Sequence, residues 1–157
     1  MEGMNARELY DLDFFEWTAR NAELLREGRF AEADMEHIAE ELEDLGKRDR
    51  RELESRLEVL LEHLLKWQMQ PLLRGPGWSR TIAVQRCGIA RLLEEAPSLR
   101  PRIDLEKSYA AAVRIASRET GFSRDRFPAE CPFGLNQVLD DDFFPDPPAA
   151  VESTYDH

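Results

Sequence analysis

The chain has 157 residues, 42% of them hydrophobic and 34% charged, with a mean hydropathy of −0.56. That size suits one domain, and the apolar content suffices for a dry core. Acids outnumber bases 32 to 21, for a net charge of −11, which argues against broad non-specific DNA binding and against docking on anionic membranes. No run approaches 18 apolar residues, so no membrane span is predicted. The start MEGMNARELYDLD has no apolar stretch of the kind a secretory leader needs. Two cysteines, Cys87 and Cys131, are too few for a disulfide framework and fit no zinc spacing. A reduced, cytoplasmic protein is expected.

Charge is segregated along the chain. Residues 1–46 hold 14 acids and 4 bases (−10), residues 47–126 hold 11 and 17 (+6), and residues 127–157 hold 7 and 0 (−7). Acidic and basic stretches could therefore meet within one chain or between chains.

Helical periodicity runs through the sequence. A first helix is predicted to open at Asp11 or Asp13, either able to accept an orphan N–H as N-cap. Its apolar face would be Phe14, Phe15, Thr18, Ala19, Ala22 and Leu25, flanked by Trp17, with Gly28 ending it. A second begins near Asp34, with Met35, Ile38, Leu42 and Leu45 inward and Gly46 as its stop. The third carries the strongest pattern: from about Asp49 to Gln70, Leu53, Leu57, Leu60, Leu61, Leu64 and Trp67 keep one stripe, and Pro71 closes it.

LLRGPG reads as a loop. A fourth helix follows, capped by Ser79 and presenting Ile82, Ile89, Leu92 and Leu93, until Ala96-Pro97 ends it. The fifth runs from Pro101 or Asp104 to Thr120, with Ile103, Leu105, Tyr109, Val113 and Ala116 inward and Gly121 as stop. Residues 122–134 read as an irregular wrap, Leu135–Asp140 as one short helix, and 146–157 as a disordered tail. No strand alternation or hairpin turn occurs. The expected fold is all-α: an up-and-down antiparallel bundle of about five helices over residues 9–145, preceded by a lead at 1–8 and finished by the irregular C-terminal wrap.

An ordered series of motifs accompanies this pattern. LYDLDFFEW leads to LLREGRF and the acidic helix, then to LESRLEVLLEHLLKWQMQP. W-x-x-T-I follows, with QR, LL and PSLR, and the series closes with FPAECPF-x-L-x-QVLDDDFFP. From about Leu9 to Pro145 the series resembles the bacterial domain of unknown function 29 family. The resemblance implies a compact helical domain with no established activity. In that pattern the linker after the third helix is more polar and basic; this chain has Leu72 and Leu73 there.

Three kinds of site can be drawn from the residues. Bundle enzymes build metal sites from His and carboxylates on facing helices. If a turn near residues 46–50 makes the second and third helices antiparallel, His63 falls level with residues 33–37. His37, Glu41 and His63 would then be the ligands, with Glu40 as a further ligand or base. The Glu-x-x-His and H-E-x-x-H patterns are both missing from the sequence, so this stands behind the bland reading of His63 at the core edge. Trp78, Arg80, Arg86 and Arg91 form a second set, able to stack on a base and grip phosphate, though Trp78 also suits a helix-start anchor. Met69, Leu72, Leu73, Phe143 and Phe144 form the third, an apolar surface for a protein partner; for Phe143 and Phe144 the preferred alternative is closure of the protein's own bundle. Cys87, near Arg86 and Arg91, has no histidine beside it in sequence, and Cys131 reads as a small apolar anchor.

The function these features favour is a non-catalytic helical interaction or adaptor domain, with no cofactor. Its partner would be an unidentified protein, a second copy of the chain included, rather than a membrane or a nucleic acid. A metal-dependent enzyme and a nucleic-acid accessory protein are the alternatives.

Overall fold

The computed structural model describes residues 3–148. The expected tail beyond Pro148 lies outside the described residues. Among those residues the fold is all-α, with six α-helices and three short 3₁₀ turns. The chain divides into two compact units, Met1–Asp49 and Arg50–His157.

In the first unit, α1 (Ala6–Leu12) starts inside the stretch expected as a lead. Asn5 and Glu8 form a reciprocal capping box there, each side chain bonding the other's backbone N–H. Ala6 and Leu9 are buried. Asp13 breaks the chain and caps α2 (Phe14–Arg26), accepting the Glu16 N–H at 3.1 Å. The face of α2 differs from the expected one. Trp17, Asn21 and Leu24 turn inward, at spacings of four and three, whereas Phe14 and Phe15 are exposed. The aromatic residues do not mark the inward face, because the polar Asn21 sits at the centre of the true stripe. Gly28 ends this stretch with φ 74°, the left-handed conformation expected of it.

The largest departure follows. The second and third predicted helices are one helix, α3 (Met35–Met69). Gly46 is not the stop its residue type suggests: its φ is not positive and the helix passes through it. A glycine in a helix costs only about 1 kcal/mol against alanine, so without a left-handed turn it need not terminate anything.

In the second unit the stretch of α3 beyond Arg50 meets α4 (Pro76–Glu95), α5 (Leu105–Thr120) and α6 (Leu135–Leu139) around one core. Leu57, Leu60, Leu61, Leu64, Leu65, Ile82, Ile89 and Val138 are its largest fully buried side chains. Leu57, Leu60, Leu61 and Leu64 are on the expected stripe and Leu65 is buried beside them, whereas Met35, Leu42 and Leu45, expected inward, are exposed. Helix α4 starts three residues before Ser79, since Pro76 is pre-shaped for the first helical position. Inside α4, Gly88 leaves room for the Arg56 guanidinium, which lies 2.5 Å from where a Cβ would stand. Asp104 caps α5, and Gly121 ends it with φ 74°.

Candidate functional site

In the first unit a buried aspartate organises the packing. Asp34 directly precedes α3, and its Oδ1 accepts the His37 backbone N–H at 3.4 Å. Its Oδ2 accepts the Trp17 indole N–H at 3.0 Å and lies 2.6 Å from His37 Nδ1. A carboxylate can only accept, so His37 Nδ1 carries the proton in this pair. The Asp34 N–H donates to Asn21 Oδ1 at 2.8 Å, and the Asn21 amide donates to the Trp17 carbonyl at 2.9 Å. Burial alone would raise the Asp34 pKa; the donors from His37 and Trp17 outweigh it and hold the carboxyl below its ordinary range.

Tyr10 covers this centre. Its ring lies flat against His37, centroids 3.8 Å apart, and meets Trp17 edge-on at 5.1 Å. Its hydroxyl donates to Glu41 Oε1 at 2.6 Å, and that bond pushes the Tyr10 pKa up to about 12. Thus α1, α2 and the start of α3 are tied together, and the apolar side chains beside them are left uncovered. Leu12, Phe14 and Phe15 protrude at the α1–α2 corner, Phe15 with 80% of its surface free. Along α3, Met35, Leu42 and Leu45 are 51%, 64% and 52% exposed. Acidic side chains, among them Glu40, Glu43 and Asp44, are exposed around them.

The second unit holds a charge cluster in which Lys66 and Glu62 are buried and Glu119 is half exposed. Lys66 Nζ lies 3.2 Å from Glu62 Oε1, one turn away on α3, and 2.6 Å from Glu119 Oε2 on α5. The ammonium also stands 5.3 Å from the centre of the Trp78 ring. Burial, helped by a hydrogen bond to Glu119, raises the Glu62 pKa to about 7. The same shared bond and Lys66 lower Glu119. Neighbouring His63 is pulled down by burial, and its Nδ1 bonds the Val59 carbonyl at 2.8 Å.

The sequence-derived sites fare differently. His37 and His63 lie on the same helix, so the turn that was to bring His63 level with His37 and Glu41 does not exist. Among the described residues, no group of three or more His, Cys, Asp or Glu side chains is arranged to hold a metal ion. Glu41 binds Tyr10 instead.

In the basic set, Arg80 and Arg91 are exposed, and Trp78 is half-buried beneath Lys66. Arg86 is a correction: it is buried, and its guanidinium donates to the carbonyls of Val138 (2.9 Å), Asp141 (3.4 Å) and Phe143 (2.7 Å). It has no surface to offer a phosphate.

The apolar set divides as well. Leu72 (97% exposed) and Leu73 project from a short 3₁₀ turn. Met69 packs on the core, and so does Phe143, whose ring meets Phe133 at 5.7 Å. Phe144 lies against Trp67 at 4.8 Å. Phe143 therefore closes the protein's own core, the preferred alternative for it. Beside Leu73, Arg74 donates from Nε to the Trp67 carbonyl at 2.7 Å, and its Nη2 is buried with no partner among the described residues. Cys87 is exposed, whereas Cys131 is half-buried with its Sγ 3.4 Å from the Phe133 carbonyl, an anchor as expected.

With this geometry established, the family can be assigned. The family model described as "Domain of unknown function DUF29" matches residues 9–144. The chain belongs to the DUF29 family. The match runs from the buried Leu9 of α1 through residues 140–144, the strap whose carbonyls at Asp141 and Phe143 Arg86 holds, so it takes in most of both units. No curated protein matches the chain, and no solved structure does either.

Proposed function

We propose that the protein is a non-catalytic helical interaction domain that meets a protein partner through the exposed apolar face of its first unit. One observation carries the reading: Leu12, Phe14, Phe15, Leu42 and Leu45 are all about half exposed or more, whereas Leu53, Leu57, Leu60, Leu61, Leu64 and Leu65 further along α3 are sealed in a core. Contiguous exposed apolar side chains with a polar surround are the usual mark of a protein-binding surface. The surround here is acidic, since residues 1–46 carry 14 acids against 4 bases. Basic side chains that a partner brings to this rim would complement it.

The setting we infer is cytoplasmic. Among the described residues no helix is long and apolar enough to cross a membrane. Both cysteines are free thiols, which suits a reducing compartment.

Photo-crosslinking in the source cells tests the reading. A benzophenone side chain is placed at Leu42 or at Phe15, with Leu72 as the comparison site. Adducts with a protein chain from positions 42 or 15 support the proposal. Adducts only from position 72, or none from any, would overturn it.

A further inference from the structure

We propose that the partner of the α3 face is a second copy of the chain, paired antiparallel through residues 35–48. The inference rests on the interaction reading above and names its occupant.

The exposed stripe has heptad spacing. Met35, Ile38, Leu42 and Leu45 recur at three, four and three residues, the a and d positions of a coiled-coil seam. Within the chain this seam is largely bare: Ile38 is half-buried and the other three are about half exposed or more. With Leu42 at a and Leu45 at d, an antiparallel twin places Leu42 over Leu45 of the other copy, and the reverse, in two central layers.

The flanks are complementary to themselves in that one orientation. On one side stand Glu41 and Arg48, seven residues apart in the g positions. Antiparallel pairing sets the g positions of the two copies against each other, so the Glu41 oxygen that Tyr10 does not use meets the second copy's Arg48 twice. Arg48 is exposed and has no ion-pair partner within the chain among the described residues. On the other side stand Ala39 and Gly46 in the e positions, which come face to face across the same axis. Nothing among the described residues lies within 4 Å of where a Gly46 Cβ would be. Its missing side chain serves no contact within the chain, yet it would let a second backbone approach closely. A parallel pairing lacks these matches. It would set Asp49 against Asp49 in a core position, where the antiparallel register lays each Asp49 over Ile38 at the end of the seam, and would leave Glu41 facing Gly46.

The seam is short, so the association is expected to depend on concentration. Sedimentation velocity across a wide range of protein concentration should show monomer passing to dimer. Leu42→Glu and Leu45→Glu should abolish the dimer while leaving helicity unchanged, because both side chains are exposed. Arg48→Glu should weaken it.

Orientation is read by disulfide trapping in a Cys87→Ser background. The double variant Ala39→Cys/Gly46→Cys should form covalent dimers on mild oxidation, and each single variant far fewer. A monomer at every concentration, a dimer indifferent to Leu42→Glu, or equal trapping by the single variants would each overturn the proposal. Failure here is separable from failure of the interaction reading: a photo-adduct from position 42 to a different protein sinks the self-pairing and keeps the interaction domain.

Discussion

Tyr10 lies face to face with His37, 8° from parallel, while Asp34 takes the edge of the same imidazole at 2.6 Å. The histidine's position is thereby fixed by α1 and by the residue that starts α3, and Trp17 of α2 shares the same carboxylate oxygen. Asp34→Ala removes a helix cap and leaves the indole and imidazole donors without an acceptor. A loss of about 2–4 kcal/mol is expected. Denaturant melts of the variant should show it, and Asp34→Ser, which caps but cannot reach both rings, should recover only part.

The same aspartate makes acid destabilising. Its pKa is lower in the folded chain than its ordinary 3.8, so its contribution is complete above that value. It is lost as pH falls through the folded value. Stability should therefore decline below pH 3.8, and the decline should be shallower in Asp34→Ala. Equal acid slopes in the two proteins would mean that Asp34 contributes nothing to the linkage.

The apolar stripe of α3 beyond Arg50 was legible because Leu53, Leu57, Leu60, Leu61 and Leu64 answer one local rule, a period set by the helix itself. The caps at Asp13 and Asp104, and the left-handed glycines at 28 and 121, were equally local. The continuity of α3 was not, since a glycine's sequence signal is the same whether or not its φ turns positive. Nor was the role of Asn21, Asp34 or Glu119: each acts through a residue 13 or more positions away. Lys66 and Glu62 had a readable spacing of four, but only packing could show that they are buried. Arg86 was misread for the same reason, because its acceptors are carbonyls more than 50 residues along the chain.

Glu62 gives the second unit a pH dependence of the opposite sign. Its pKa rises from an ordinary 4.5 to about 7 on folding, so the folded chain holds that proton more tightly than the unfolded one. Its effect on stability is favourable below 4.5 relative to higher pH, and is eroded as pH rises through about 7. Glu119, whose pKa is lowered, acts the other way, so the comparison with Glu62→Gln isolates the effect. Glutamine mimics the protonated acid and can still bond Glu119. Its Tm should exceed that of the parent by about 3–5 °C above neutrality, and the two should converge towards pH 4.5. A lower Tm for the variant at high pH would show that the Glu62–Lys66 ion pair outweighs the burial of the charge.

Leu57 and Leu64 are sealed in the second unit's core, at 1% and 0% exposure. Leu57→Ala or Leu64→Ala should each cost about 2–5 kcal/mol, from lost burial and the cavity left behind. Leu42→Ala, on the exposed stretch of the same helix, should change monomer stability by less than about 0.5 kcal/mol. Thermal or urea melts at low protein concentration make the comparison directly.

Arg86 holds the last described helix and the strap after it by three carbonyls, and its guanidinium stands 5.5 Å from the centre of the Phe144 ring. Arg86→Ala leaves those carbonyls without their donor, at a cost of about 3 kcal/mol or more. Lysine should not rescue it, because one ammonium cannot span acceptors that a planar fork reaches together. Phe143, packed on Phe133, keeps an apolar hold on the strap in either variant. The strap should therefore loosen before the core opens. Limited proteolysis in Arg86→Ala and Arg86→Lys should cut first within residues 139–145, while α3, α4 and α5 stay protected. Cleavage there at the parental rate would show that Phe143 alone anchors the segment.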